Sequence, residues 1–181
     1  MSYANEKEII QQLYDDYLHD VYQYCLYFTN SESEAEDLTQ DTFMKVMKNF
    51  HSFQGNSSAK TWILSIARNT TIDYFRKRKI QQFLPELFSR ISPTSYGDPE
   101  ANVEHLEEWE ELQLALLKLK PDFRNVVILR GLKELSIKET AEILDWKESK
   151  VKVDYHRALK QLQSFVTKNK EGGFIFHEDA K

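Results

Sequence analysis

The sequence predicts an all-α protein made of two small helical domains. Three observations carry the prediction. Apolar residues recur at three- and four-residue steps along most of the chain, the spacing that lines one face of a helix. Five glycines and four prolines in 181 residues are too few for the tight turns of a sandwich or barrel. The periodicity lapses between about residues 81 and 103, where Pro85, Pro93, Gly97 and Pro99 fall, so the chain divides there.

Each element follows in order. Ile9, Ile10, Leu13, Tyr14, Tyr17, Leu18, Val21, Tyr24, Cys25 and Phe28 form one wide apolar stripe, broken at Thr29-Asn30-Ser31. Ser31 with Glu34 three residues on reads as a capping box opening a second helix. Its inner face is Leu38, Thr42, Phe43, Val46, Met47 and Phe50, and its outer face Glu36, Asp37, Gln40, Asp41 and Lys45. A turn-rich loop, His51–Ser58, precedes a third helix from about Ala59 to Ile80, with Trp62, Ile63, Ile66, Ala67 and Ile72 inward. The linker carries one short helix at Phe83–Ile91.

In the second domain, Leu112, Leu116 and Leu119 mark one helix, and Pro121 opens the next, whose apolar face holds Phe123, Val126, Val127 and Leu129 before Gly131 ends it. Ser136 and Glu139 form another capping box ahead of Ile137, Ala141, Ile143 and Leu144. After a break at Asp145-Trp146-Lys147, the last helix carries Val151, Tyr155, Ala158, Leu159 and Leu162. The predicted boundaries are 1–82, a linker at 83–105, a second domain at 106–168 and a tail at 169–181.

The formal net charge of −5 conceals a segregated pattern. Residues 60–80 hold Lys60, Arg68, Arg76, Lys77, Arg78 and Lys79 against the single Asp73. Residues 98–111 hold seven carboxylates and no Lys or Arg, and residues 147–170 are basic again. Two basic segments separated by an acidic one suit nucleic acid better than the net charge suggests.

Chemistry by side chains has no foothold. The lone Cys25 rules out an internal disulfide and sits on an apolar stripe, as buried structural thiols do. The five histidines have no metal-ligand spacing, among themselves or with Cys25. Ser57 and Ser58 have no adjacent base, and no glycine-rich loop is present to cradle a phosphate. Neither an enzyme nor a cofactor is expected. The N-terminus has no signal-peptide pattern, and no apolar run is long enough to span a bilayer, so a cytoplasmic protein without membrane insertion is expected.

Leu135–Leu162 reads as a helix-turn-helix, with Lys150, Lys152, His156, Arg157 and Lys160 opposite the apolar side. Cations for phosphates and donors for base edges are what insertion into a major groove requires. In Thr61–Lys79, Trp62, Tyr74 and Phe75 are interleaved with cations and Asn69, a composition suited to single-stranded DNA. Pattern alone leaves open a stand-alone helix-turn-helix regulator, or a helical scaffold that binds only protein.

The order of the motifs narrows this. Ala35-Glu-Asp-Leu-Thr-Gln-Asp-Thr-Phe43, Phe53-x-Gly55, Thr61-Trp-Ile-Leu-Ser-Ile-Ala-Arg-Asn-Thr70 and Asp73-Tyr-Phe-Arg-Lys77 come first. Leu129-Arg130, Leu135-Ser-Ile-Lys-Glu-Thr-Ala-Glu-Ile-Leu144, Val151-Lys152 and His156-Arg157-Ala158 follow. Over roughly residues 8–165 the chain resembles an RNA polymerase sigma factor of the small extracytoplasmic-function group in the sigma-70 family. The resemblance implies a region 2-like bundle and a region 4-like helix-turn-helix domain joined by a flexible acidic linker. Glu36, Asp37, Leu38, Gln40, Asp41 and Phe43 would dock on the β′ clamp helices of core RNA polymerase. Phe53, Ser57, Ser58, Lys60, Arg68, Asn69, Arg76, Lys77, Arg78 and Lys79 would read the −10 element as a single strand, with Asn69 lining a pocket for a flipped base. Lys147, Ser149, Lys150, Lys152, Val153, His156, Arg157 and Lys160, on the helix-turn-helix at 136–160, would read the −35 element, and part of that domain would meet the β flap. An anti-sigma factor, membrane-anchored in some members of the group, is the further partner implied.

Two positions depart from the family pattern. Lys147-Glu-Ser-Lys150 stands where Pro-x-Gly-Thr is usual, and Asp154 where a cation or small polar residue is commoner. Asp154 is expected to accept from a cytosine amino group or to pair with Lys150 or Lys147.

Overall fold

The structure is a computed structural model that describes the backbone of residues 3–55, 57–82 and 103–166, and the side chains of 6–55, 57–78 and 109–166. The described residues are helical throughout, without a strand. In the first unit, α1 (Tyr3–Thr29) and α2 (Glu32–Asn49) pack as an antiparallel hairpin, a single 3₁₀ turn (Phe50–Ser52) follows, and α3 (Ala59–Gln82) lies against both. The second unit comprises α4 (Val103–Lys118), α5 (Pro121–Val127), one π turn (Ile128–Leu132), α6 (Ile137–Leu144) and α7 (Glu148–Val166). The expected helix at Phe83–Ile91 and the tail at 169–181 lie outside the described residues.

The helix ends follow from local chemistry. Asn30 terminates α1 in the left-handed conformation (φ 54°), with its amide bonded to Leu26 O at 2.8 Å. Ser31 caps α2 by accepting from Glu34 N at 3.4 Å. The reciprocal half of the expected box is missing, because the Glu34 carboxylate is drawn instead to Arg78 at 2.6 Å. The box at Ser136 and Glu139 is complete. Hydrogen bonds from Ser136 hold the Glu139 carboxyl below its ordinary range. Asp145, also left-handed, stops α6 and sets the turn into α7. Gly131 does not end its helix as the sequence suggested: the chain passes through the π turn to Leu132. A Cβ at Gly131 would lie 3.3 Å from the Tyr155 hydroxyl, so the absent side chain is what lets α7 approach here.

The acidic stretch does not belong to the linker alone. From Val103 onward its backbone forms the first turns of α4.

The two units pack together: α6 lies on α3, and α1 touches α4 and the π turn, so one continuous core runs through both. Tyr24, Phe28, Ile63 and Leu64 on one side and Leu116, Ile128, Leu129 and Leu144 on the other are fully buried. Polar contacts cross the seam. The Tyr24 hydroxyl donates to Asn125 Oδ1 at 2.5 Å, both residues being inaccessible to solvent. Arg124 Nη1 donates to Phe28 O at 2.8 Å, and its guanidinium lies 4.9 Å from the centre of the Phe28 ring. Lys133 meets Asp20 and donates to Gln23 Oε1 at 2.7 Å, and Tyr27 packs edge-on against Trp109 at 5.2 Å.

Candidate functional site

Three surfaces stand out. The first is the outer face of α2. Glu36, Asp37, Gln40 and Asp41 are exposed, as their spacing predicted. Leu38 and Phe43, grouped with them by resemblance, are 2% and 5% exposed and belong to the core, so they support this face from beneath. Phe43 packs edge-on against Tyr14 at 4.8 Å. Sequence reasoning put Met47 inside, but it is 56% exposed, and Met44 beside it is 53% exposed. Methionines on the same stripe as four acidic or amide side chains make a surface that is apolar and adaptable at one end and anionic at the other. Their exposure extends this face beyond the acidic residues.

The second surface is α3 with the loop before it. Phe53 stacks at 4.8 Å on Trp62, fixing the loop against the helix, and the Ser58 hydroxyl caps α3 by accepting from Thr61 N at 3.1 Å. Ser57 is half-buried and Ser58 exposed. Asn69 is exposed, Arg68 Nη1 donates to its Oδ1 at 2.9 Å, and Lys77 and Arg76 are also exposed. The predicted set is not one surface, however. Lys60 and Asn69 are nine residues apart, which at about 100° per residue places them on opposite sides of the helix. Lys60 pairs with Asp20 at 2.9 Å, and Arg78 with Glu34. Arg68 lies between the two sides, with its Nε buried and unpartnered. Lys79 falls on α3 outside the residues whose side chains are described. The outward side therefore carries Asn69 and Arg76, in line with Trp62, which is half-buried beneath Phe53 and packed against the core. An amide and a cation so placed can hydrogen-bond to a base edge and neutralise its phosphate.

The third surface is α7. Val151, Ala158, Leu159 and Leu162 are buried against the second unit, fixing the helix by its apolar side. Lys147, Ser149, Lys150, Lys152, Val153, His156, Arg157 and Lys160 are all exposed. Of the two expectations for Asp154, the ion pair is observed, with Lys150 at 2.6 Å and Arg157 at 4.0 Å. Lys150 Nζ also sits 3.0 Å from the centre of the Trp146 ring. The Lys-Glu-Ser-Lys turn is thus held by Trp146 and Asp154. Arg130, whose guanidinium lies 5.6 Å from the centre of the Tyr155 ring and donates to Leu135 O, braces the turn from behind.

Burial pushes the Cys25 thiol up to about 12, so it stays protonated and inert. No group of three or more His, Cys, Asp or Glu is placed to hold a metal ion among the described residues. Among the same residues, no helix is long and apolar enough to cross a membrane.

A family model described as Sigma-70 region 2 matches residues 13–80, and one described as Sigma-70, region 4 matches residues 109–162. The chain is 39% identical to the ECF RNA polymerase sigma factor SigX of Bacillus subtilis (strain 168), over 88% of this chain and 84% of that protein. It is 37% identical to the RNA polymerase sigma factor YlaC of the same organism, over 91% and 96%. Among solved structures it is similar to the sigma factor RpoE in complex with the anti-sigma factor NepR from Bartonella quintana. That similarity has a TM-score of 0.68 and 26% identity, over 88% of this chain and 98% of that one. CnrH, in complex with the cytosolic domain of CnrY, shares the fold at a TM-score of 0.68 and 20% identity, over 91% of each chain.

Proposed function

This chain belongs to the extracytoplasmic-function group of the sigma-70 family, and we propose that it directs promoter-specific transcription initiation by core RNA polymerase. Its own part is binding; the polymerase holds the catalytic site. The outer face of α2, from Glu36 to Asp41 with Met44 and Met47, docks on the β′ clamp helices. The loop at 53–58, with Trp62, Asn69, Arg76 and Lys77, reads the −10 element as an opened strand, offsetting an unstacking cost of a few kcal/mol per flipped base. The exposed side of α7 enters the major groove at the −35 element, and the second unit also meets the β flap. An anti-sigma factor covering the DNA-facing surfaces, in some members of the group anchored to the membrane, is the further partner, and the cytoplasm is the place of action.

The single observation that carries this reading is α7: all eight side chains expected at the duplex are exposed, seven on a helix fixed from its other side and the eighth, Lys147, in the turn just before it. Run-off transcription with purified core polymerase tests it. Promoter-specific transcripts that require this chain are expected. Binding to duplex DNA with no transcript and no association with core polymerase would overturn it.

A further inference from the structure

We propose that Met44 and Met47 form an oxidation-sensitive modification site on the docking face of α2, where a peroxide converts their thioethers to sulfoxides and weakens the grip on core polymerase. The inference rests on the proposed function and adds to it a reversible control that the carboxylates of the same face cannot supply.

The sulfur atoms of the chain single out these two residues. There are one cysteine and three methionines. Cys25 is fully buried and its thiol is pushed up to about 12, so it offers an oxidant neither access nor a thiolate. Met1 lies outside the described residues. Met44 and Met47 are 53% and 56% exposed, more than any other large apolar side chain among the described residues. A thioether has no proton to lose, so access rather than pKa governs its oxidation.

Their place on the helix gives the modification a consequence. Counted around α2 from Glu36 at about 100° per residue, Met47 falls at about 20°, Gln40 at about 40°, Met44 at about 80° and Asp41 at about 140°. Both sulfurs therefore lie inside the arc of side chains assigned to docking, three residues apart and one turn beyond Asp41 and Gln40. In the reaction, a sulfur lone pair attacks one peroxide oxygen. The S–O bond forms as the O–O bond breaks, sulfur is oxidised by two electrons, and the other oxygen leaves as water. A flexible apolar side chain thereby becomes a polar one. Docking then buries an acceptor oxygen where apolar surface had lain, and a polar group buried without a partner weakens association.

The test treats the whole chain with hydrogen peroxide, quenches with free methionine, and removes both before untreated core polymerase is added. Peptide mass mapping should show one oxygen gained at Met44 and at Met47, with Cys25 unchanged and circular dichroism unaltered. Affinity for core polymerase in a pull-down titration should fall about tenfold. Methionine sulfoxide reductases acting on both sulfoxide epimers should restore it. In Met44→Leu/Met47→Leu the affinity is compared before and after peroxide within the same protein, and no fall is expected. Should that variant not bind at all, recovery by the reductases decides alone. Undiminished affinity in a chain oxidised at both positions overturns the proposal, as does an equal fall in the leucine variant, a fall that the reductases do not reverse, or oxidation that misses both residues. An untreated chain that fails to bind core polymerase counts against the proposed function instead, while the peptide map still decides whether these sulfurs are the ones oxidised.

Discussion

Replacing Arg124 with methionine should destabilise the protein more than any exposed cation would. The guanidinium is 7% exposed and closes two helix ends at once. It donates to Leu116 O at 2.9 Å and Leu117 O at 2.6 Å at the end of α4, and to Phe28 O at 2.8 Å at the end of α1. A more distant contact reaches Leu119 O at 3.4 Å. Helices leave their last carbonyls unsatisfied and their C-termini partly negative, so a cation there answers both needs. Three short bonds from a charged donor contribute about 1.5–3 kcal/mol each, or about 5–9 kcal/mol together. Against this stands lost solvation, which lowers the Arg124 pKa to about 10 and costs about 3 kcal/mol. The balance, about 2–6 kcal/mol, is the expected loss in Arg124→Met. With a urea slope of about 2 kcal/mol per molar, the midpoint should fall by about 1–3 M, read by circular dichroism and tryptophan fluorescence. Arg124→Lys should recover only part, because one ammonium cannot reach both helix ends. A shift below about 0.5 M for the methionine variant would refute the claim that this residue joins the units.

Further outcomes are expected at the surfaces. Asp41→Ala should weaken binding to core polymerase while leaving circular dichroism unchanged; full affinity in a pull-down titration would count against the docking face. Arg157→Ala should weaken binding to the upstream promoter element by about 1–3 kcal/mol if it reads a base, or flatten the salt dependence if it meets a phosphate. Mobility shifts across a salt series distinguish the two, and no change in either contradicts the placement of α7. Ser136→Ala removes the cap of α6 and should lower stability by about 1 kcal/mol, visible in the unfolding midpoint reported by Trp146. Burial alone would raise the Asp20 pKa, but hydrogen bonds from Lys133 and Lys60 outweigh it and hold the carboxyl below 3.8. A depressed carboxyl stabilises the folded form above its ordinary pKa and ceases to as pH falls through the folded value. Lys60 from α3 and Lys133 beyond the π turn both face Asp20, so the stability this contact contributes should persist from pH 7 to 5 and weaken below about 4. An acid titration of the urea unfolding midpoint, with Asp20→Asn as control, checks the window.

The two exposed surfaces most legible in the sequence are α2 and α7. On α7 the three- and four-residue rhythm of Val151, Ala158, Leu159 and Leu162 dictates which side is buried. Most polar residues off that rhythm are then turned outward, while Asp154 is drawn in against Lys150. Met47 broke the rule because hydrophobicity does not tell a core residue from one awaiting a partner. Phe43 obeyed it, being 5% exposed on the inner face where the rhythm put it, and a residue grouped by resemblance with a binding face can serve that face from below. Lys60 was assigned to the strand-reading set by charge, yet its direction depends on what packs beside α3.

By itself the sequence determined most of the described helices, the complete cap at Ser136 and the family, because each is a property of neighbours along the chain or of motif order. Tertiary structure alone decided that the units close on one another, and the reason lies in the residues of the seam. Tyr24 lay on a predicted apolar stripe, but its hydroxyl needs Asn125 from the other unit. Asp20, Arg124, Asn125 and Lys133 are polar, so local pattern turns them toward water. Each instead meets a partner far away in sequence, from Phe28 O for Arg124 to Asp20 for Lys133. A buried polar group is stable only where its complement arrives, and that arrival is set by the fold as a whole.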